Sequence, residues 1–510
     1  MLAAEPGHPM PALLKFLLIA LCGLGPMVLP GRGRAAERPN IVWIVADDLS
    51  PDLGCHGNTV IQTPNLDRLA SEGTRFAAAF TTAPICSISR SALMTGCYQT
   101  SIGCQNHRSG SARFPIHLTG GRVPVARLIR EAGYHTTNLS LDDFLKPGGP
   151  VALAKTDYNF VWDPGATYDT NHWTGRRPGQ PFFAQVQLPG GKRRGESPGP
   201  RWPEAVMATL GSTTPTNAFT LPPPIPEHPV LREDWAQYLD TVRQVDWEVG
   251  RIVARLRDAG ELDRTALLFL SDHGISHIRH KQFLYDGGLH IPLIVRGPGF
   301  DRGRVRSDLV EHIDIAPTTL ILAGLPVPAW MEARPLQANG PAREFVFAAR
   351  DRADETVDRI RSVRSPRFKY IRNFYPSRPL RQPNRYMDDK AIVQVLRRLH
   401  AQGALTPEQA QVMAPVRPRE EFYDLESDPS ELRNLATDPC HTAALDRHRA
   451  ALAGWSSRTG DQGREPEPEA VYLSYVREDR PEAGGGRLRG DFERNVELML
   501  RWREERPMEQ

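Results

Sequence analysis

The 510-residue sequence contains no Cys-x-x-Cys pair and no zinc-finger spacing, so a small metal-stapled module is excluded. It has no excess of either charge: 63 basic against 60 acidic residues gives a net +3, too balanced for a nucleic-acid partner. Basic residues crowd late, in "RDRADETVDRIRSVRSPRFKYIR", but acids are interleaved there and the stretch reads as a solvated mixed surface. After the first thirty or so residues no apolar run is long enough to span a bilayer, so no stable membrane span is expected.

The amino-terminal run is itself short. Lys15 precedes "FLLIALCGLGPMVL", and small residues follow in "GRGRAA". That order is the grammar of a secretory leader over residues 1–36, cleaved near Ala35 or Ala36, and the protein is expected to be exported, periplasmic or secreted. Leu21 before Cys22 argues against a lipoprotein anchor. Without Cys22 an odd set remains: Cys55, Cys86, Cys97, Cys104 and Cys440. At least one has a task of its own, and the count does not say which.

What the sequence does contain is alternation of strand and helix. "PNIVWIVADD" and "TALLFLSDHG" are continuous apolar runs that end in acids, the signature of buried parallel strands. "TPNLDRLASEGTRF" and "VPVARLIREAGYHTTNLS" each read as a helix running toward a strand. Trp235, Leu239, Val242, Val245, Val249, Ile252 and Leu256 recur every three or four residues and mark a helix stopped by Gly260. "HIPLIVRGPG" and "HIDIAPTTLILAGLP" add a strand and a helix. The expected fold is α/β: a large mixed, mostly parallel sheet flanked by helices. A smaller α+β domain with an antiparallel sheet should follow, because "FVFAAR" and "RSVRSPRFKYIRNF" alternate like paired strands. The boundaries are set at 37–342 for the first domain, 343–460 for the second, and 461–510 for a mobile tail with one terminal helix. Residues 189–229, rich in Pro and Gly, read as a long loop.

Acids just past the carboxyl ends of parallel strands lie where such sheets bind ligands. Asp47–Asp48 and Asp272–His273 occupy two such ends and together suit a divalent cation, although Asp48 reads equally as a helix cap and "SDHG" as a turn. Between them comes "CSISR", residues 86–90, ahead of a helix.

With "CSISRSALMTG", "KQFLYDGGLHIPLIV", "HIDIAPTTL" and "FYDLESDPSELRNLA" added in order, the chain resembles the type I sulfatases of the alkaline-phosphatase-like superfamily. "TSIGCQNHRS", "KTDYNF" and "ARDRADETVDRIRSVRSPRFKYIRNF" are most similar to the heparan N-sulfatase (sulfamidase) branch. The resemblance implies hydrolysis of O- or N-sulfate on a sulfated carbohydrate. It implies that Cys86 is oxidised to formylglycine by a formylglycine-generating enzyme, and that one calcium ion is bound by Asp47, Asp48, Cys86, Asp272 and His273. Arg90 would hold the modified side chain, and Lys155 and Lys281 would contact sulfate.

Five features depart from the family pattern. Ile88 stands where Pro or Ala is usual, and Cys97 where a basic residue is common. "LSLDDFLKPGGPVALA" interrupts the approach to Lys155, which must then bulge at the sheet edge. Asp157 replaces a proton-donating histidine, and "LPGGKRRGE" lacks a sulfate-binding one, leaving Lys192 or Arg193 as substitutes. Two other readings stay open: a silent relative that binds sulfated glycans, and a phosphoester hydrolase, to which His273 lends some support. His277, His280 and His290 are expected beside the site or at the surface, and His107 and Arg108 at the pocket wall.

Overall fold

The computed structural model describes residues 38–146, 152–169, 171–194, 202–338, 340–477 and 489–508. The leader expected over residues 1–36, with Cys22 inside it, lies outside the described residues, as do residues 147–151 of the interruption before Lys155. Residues 39–510 form one compact unit.

The strands in chain order are β1 (Asn40–Ala46), β2 (Thr74–Phe76), β3 (Ala79–Phe80), β4 (His135–Ser140), β5 (Phe182–Leu188), β6 (Thr265–Ser271), β7 (Leu293–Arg296), β8 (Arg304–Arg306), β9 (Val310–Glu311), β10 (Val346–Arg350), β11 (Ile360–Arg364), β12 (Phe368–Asn373) and β13 (Glu420–Asp424). Seven of them make the main sheet in the order β4-β5-β1-β6-β7-β2-β8. β1 is parallel to both neighbours, β5 and β6, and β4 is parallel to β5. β7 runs antiparallel to β6 and to β2, so the sheet is mixed but mostly parallel, as the apolar runs imply.

Every residue of β1 and β6 is buried, which is why these runs show no alternation. The helix Pro229–Asp258 covers one face, with Trp235, Leu239, Val242, Val245, Val249, Ile252 and Leu256 all buried. Each such side chain contributes about 2 kcal/mol on burial. On the other face Trp43 Nε1 donates to Thr319 Oγ1 at 2.9 Å, tying β1 to the helix Ile315–Leu322.

A second, antiparallel sheet has the order β10-β11-β12-β13. Its fourth strand comes from "EEFYD", close to 50 residues after β12. Trp455 and Leu452 of the helix Thr442–Thr459 pack in the same apolar cluster as Val363, Tyr370 and Phe422 of this sheet.

Two expectations are corrected. The Pro- and Gly-rich stretch 189–229 is not all loop: it holds a short 3-10 turn, Gly190–Arg193, and a helix, Trp202–Leu210, whose Trp202 and Val206 are buried. The tail carries two helices, Glu469–Arg477 and Arg489–Arg503, and is packed rather than loose. Tyr472, Tyr475 and Val476 meet Phe492, Val496 and Met499 in one apolar cluster. These residues sit at helical spacing inside a highly charged sequence, so composition hides the stripe. Arg352 also pairs with Glu467, and Arg378 with Glu505.

Candidate active site

The register of the main sheet sets Ala46 beside Leu188 on one side and Ser271 on the other. The residues that follow these three strand ends therefore meet: Asp47–Asp48, Pro189–Lys192 and Asp272–His273. Parallel strands of matched length bring these acids to one edge without any further device.

Position 86 arrives from the helix Cys86–Thr95, all ten of whose residues are buried. Its serines explain the composition of "CSISRS". Ser87 Oγ accepts from the Arg108 amide at 3.0 Å, Ser89 Oγ donates to Asp272 O at 2.6 Å, and Ser91 Oγ accepts from the Asn159 amide at 2.8 Å. Each clamps the helix to a different loop. The first residue of the helix, Cys86, thus sits at its positive end, with Sγ 3.9 Å from Asp48 Oδ1 and 3.2 Å from His273 Nε2.

Four acids and four bases interlock around Sγ. Arg90 donates to Asp47, to Asp272 Oδ2 at 3.1 Å and to Gln187 Oε1 at 2.7 Å. Lys155 Nζ bonds both oxygens of Asp47 at 3.0 and 2.8 Å. Lys192 Nζ bonds Asp47 Oδ2 at 2.6 Å, and Lys281 Nζ bonds Asp48 at 3.1 and 3.0 Å. Both ammoniums lie 3.5 Å from Cys86 Sγ. Asp157 completes the set, 3.6 Å from Arg90 Nε and 3.7 Å from Lys155 Nζ.

Burial alone would raise the carboxyls and the thiol, but the cations outweigh it. Asp47 is held well below the usual carboxylate range by Arg90, Lys155 and Lys192, and Asp48 is lowered chiefly by Lys281. Burial pushes the Cys86 thiol up, yet Lys155, Lys281, Lys192 and His273 bring it down to about 7. Burial disfavours the charged form of His273, and Asp272, Cys86 and Asp48 more than reverse that.

Backbone geometry is specialised at the same place. Asp48 and Gln282 have left-handed φ of 51° and 74°, uncommon for residues with a side chain. Gly190 (φ 52°) and Gly191 lie so close to β1's exit that an added Cβ would stand 2.1 Å from Asp47 O and 2.2 Å from Asp48 O. Only glycine fits at either position, and the approach is what delivers Lys192 to the acids.

All eight residues singled out from the sequence, Asp47, Asp48, Cys86, Arg90, Lys155, Asp272, His273 and Lys281, are brought together. The choice between Lys192 and Arg193 is resolved: Lys192 faces the acids, whereas Arg193 turns to Glu248. The interruption before Lys155 is accommodated because β4 is an edge strand. Asn138 of that strand recaptures the returning chain, accepting from the Ala154 amide at 3.2 Å and donating to Lys155 O at 3.3 Å.

Ile88 is fully buried with Ala83, Ile85 and Ala353. Cys97 and Cys104 are buried free thiols, so both are packing rather than half of a disulfide. His277 is buried, His280 and His290 are half-buried, and His290 stacks on Phe80 at 5.0 Å. His107 sits 3.1 Å from Asp354.

Sequence reasoning missed Gln187, which accepts from Arg90, and Tyr386, whose ring lies 5.0 Å from Lys281 Nζ. The first had a signal: in "FFAQVQL" the two glutamines alternate and share a face. Tyr386 had none.

The donors fit a divalent cation. Asp48, Cys86 and His273 offer one ligand atom each within 4.8 Å of one another, and Asp47 and Asp272 add carboxylates. The carboxylates suit a hard ion and the imidazole a borderline one.

A mixed, mostly parallel sheet thus carries a metal-competent cluster around the cysteine that opens a buried helix. The description "Sulfatase" matches residues 39–325, and "N-sulphoglucosamine sulphohydrolase, C-terminal" matches residues 273–382. Over 477 residues the chain is 32% identical to an ulvan-active sulfatase of Formosa agariphila, covering 85% of this chain and 77% of the relative. Over 487 residues it is 28% identical to N-sulphoglucosamine sulphohydrolase of Homo sapiens, covering 87% and 94%. A solved structure of a protein in complex with its substrate, D-glucosamine-2-N,6-O-disulfate, shares the fold with a TM-score of 0.58, at 18% identity over 83% of this chain and 98% of that one. The chain belongs to the sulfatase family, near its N-sulphoglucosamine sulphohydrolase branch.

Proposed function

We propose that the protein hydrolyses sulfate from a sulfated carbohydrate, with residue 86, as formylglycine, supplying the nucleophile. The observation that carries this reading is Cys86 Sγ set beside Asp48 and two lysine ammoniums, with Asp47 and Asp272 gathered on Arg90 one helical turn away. The relatives act on ulvan and on N-sulphoglucosamine, by their names, and both are sulfated sugars or derivatives of them.

Asp47, Asp48, Asp272 and residue 86 would hold calcium, with His273 beside them, and the ion would lower the pKa of a hydroxyl bound to it. Formylglycine, hydrated to a diol, would supply one hydroxyl to attack sulfur while the S–O or S–N bond to the sugar breaks and the sugar leaves with a proton, and a second hydroxyl whose deprotonation would expel the sulfate and restore the aldehyde. The chain's own residues do the rest. Arg90 is fixed by Asp47, Asp272 and Gln187, one helical turn from residue 86, and orients that side chain. Lys155, Lys192 and Lys281 are paired with carboxylates; a cation on those carboxylates and sulfate on the ammoniums would exchange one set of partners for another.

The domain limits at 37–342, 343–460 and 461–510, a leader over residues 1–36, and an exported location belong to the same proposal. So does dependence on a formylglycine-generating enzyme. The test is sulfate release from N- and O-sulfated saccharides by protein produced together with that enzyme. Turnover abolished by Cys86→Ala supports the reading; turnover that survives the substitution removes it.

A further inference from the structure

The proposed hydrolysis gives His273 no role beyond standing beside the metal ligands. Its Nδ1 lies 2.9 Å from Gly274 O, a group that only accepts, so Nδ1 keeps its proton and Nε2 is the nitrogen left to take a metal once its own proton is lost. That nitrogen is 3.2 Å from Cys86 Sγ and 3.5 Å from Asp48 Oδ1, while Sγ and Oδ1 are 3.9 Å apart. Asp272 Oδ1 is 3.7 Å from the same nitrogen. Zinc bonds of about 2.3 Å to sulfur and about 2.0–2.1 Å to nitrogen or oxygen place tetrahedral ligand atoms about 3.3–3.6 Å apart. The triangle's edges of 3.2, 3.5 and 3.9 Å straddle that range, within small side-chain adjustments of it, and the sulfur and nitrogen donors are those a borderline metal prefers over a hard one. A carbonyl holding the far nitrogen of a ligating histidine is the usual outer support of such a site.

We propose that the protein whose Cys86 is still a thiol binds zinc through Cys86 Sγ, His273 Nε2 and the Asp48 carboxylate, so that the chemical state of residue 86 selects the metal. The inference rests on residue 86 being the position converted in the proposed hydrolysis. As the zinc bonds form, the thiol proton and the Nε2 proton pass to solvent; no redox step is involved. Once sulfur is replaced by oxygen the set loses its one soft donor, and preference shifts toward a hard cation. Lys281 and Lys192 compete for the same atoms, since each ammonium is 3.5 Å from Sγ and Lys281 also bonds Asp48. Removing the Lys281 charge should tighten zinc rather than weaken it.

The experiment uses the full chain produced without a formylglycine-generating enzyme, with the thiol verified by mass. Equilibrium dialysis against zinc and against calcium gives affinities for wild type, Cys86→Ser, His273→Asn and Lys281→Met. Cobalt substituted for zinc reports the sulfur ligand directly through its near-ultraviolet thiolate charge-transfer band. The expected result is one zinc per chain and a cobalt band. Cys86→Ser and His273→Asn should weaken zinc by more than about tenfold, the scale of outer-shell losses alone, while Lys281→Met tightens it. Absence of zinc binding, cobalt bound without the band, or equal zinc affinity in Cys86→Ser overturns the proposal. The cobalt spectrum of the wild type stands even where a variant fails to fold. Sulfate release is scored on separately converted protein, so failure of zinc binding and failure of the hydrolytic reading are told apart.

Discussion

Lys192 Nζ donates to Asp47 Oδ2 at 2.6 Å and stands 3.5 Å from Cys86 Sγ, delivered there by two glycines that touch the backbone of Asp47 and Asp48. Arg193, its neighbour, pairs with Glu248 on the opposite side of the turn. A cation is thus brought to the acids by one specific residue of a basic run.

Lys192→Ala is expected to lower kcat/KM for sulfate release by about a hundredfold, the scale of losing one preorganised charge-stabilising group. Arg193→Ala should leave kcat/KM within a few fold while lowering the melting temperature, because it strands the buried Glu248. Steady-state kinetics and thermal unfolding of the two variants separate the roles.

Gly191→Ala tests the approach that positions Lys192. A Cβ 2.2 Å from Asp48 O forces the turn away from β1, with an expected cost of about 1–3 kcal/mol, the range for overpacking. Activity should fall together with stability, unlike in Lys192→Ala. Denaturant titration beside the kinetics gives both numbers.

Met499 of the last helix is fully buried, and its sulfur accepts the Val357 amide at 3.2 Å. Met499→Ala should destabilise the protein by about 2–5 kcal/mol, as truncations in a packed core do. A change within ±0.5 kcal/mol, the range of surface substitutions, would mean that the terminal helices are not docked in solution.

Stability should also fall as pH rises from about 4 toward 7. Asp351 donates nothing to solvent: one oxygen accepts from Arg361 at 3.0 Å and the other has no partner among the described residues. Burial raises its carboxyl to about 7, against the opposing pull of Arg361. The folded state therefore holds a proton that the unfolded chain releases near pH 4. The stabilisation is full below that pH and is lost progressively up to about 7, at most about 1.4 kcal/mol per pH unit. Melting temperatures between pH 4 and 7 should decline less steeply in Asp351→Asn than in wild type.

Much of the site is legible in the chain because it sits at strand exits. Continuous apolar runs ending in Asp47–Asp48 and Asp272–His273 state both the strand type and the edge where ligands gather. Parallel pairing then brings distant segments together with no further information. What the chain does not display depends on tertiary placement. Lys192 and Arg193 are equivalent as letters, and only the clash geometry of Gly190 and Gly191 decides which faces inward. Tyr386 reaches Lys281 from a segment with no motif around it. The tail was concealed differently: Tyr472, Tyr475, Val496 and Met499 keep helical spacing, but the charges between them dominate the composition. The same masking applies to Trp202 and Val206 within the Pro-rich stretch.

Ile88 bears on the central claim, since it fills the first turn of the helix where the family pattern is small or cyclic. The most direct measurement is the mass of the peptide containing residue 86, from protein isolated out of its own host, taken alongside sulfate release by the same preparation. The account predicts an aldehyde or its hydrate at residue 86, in a fraction that tracks specific activity. An intact Cys86 thiol throughout a preparation that releases sulfate at full rate would contradict it.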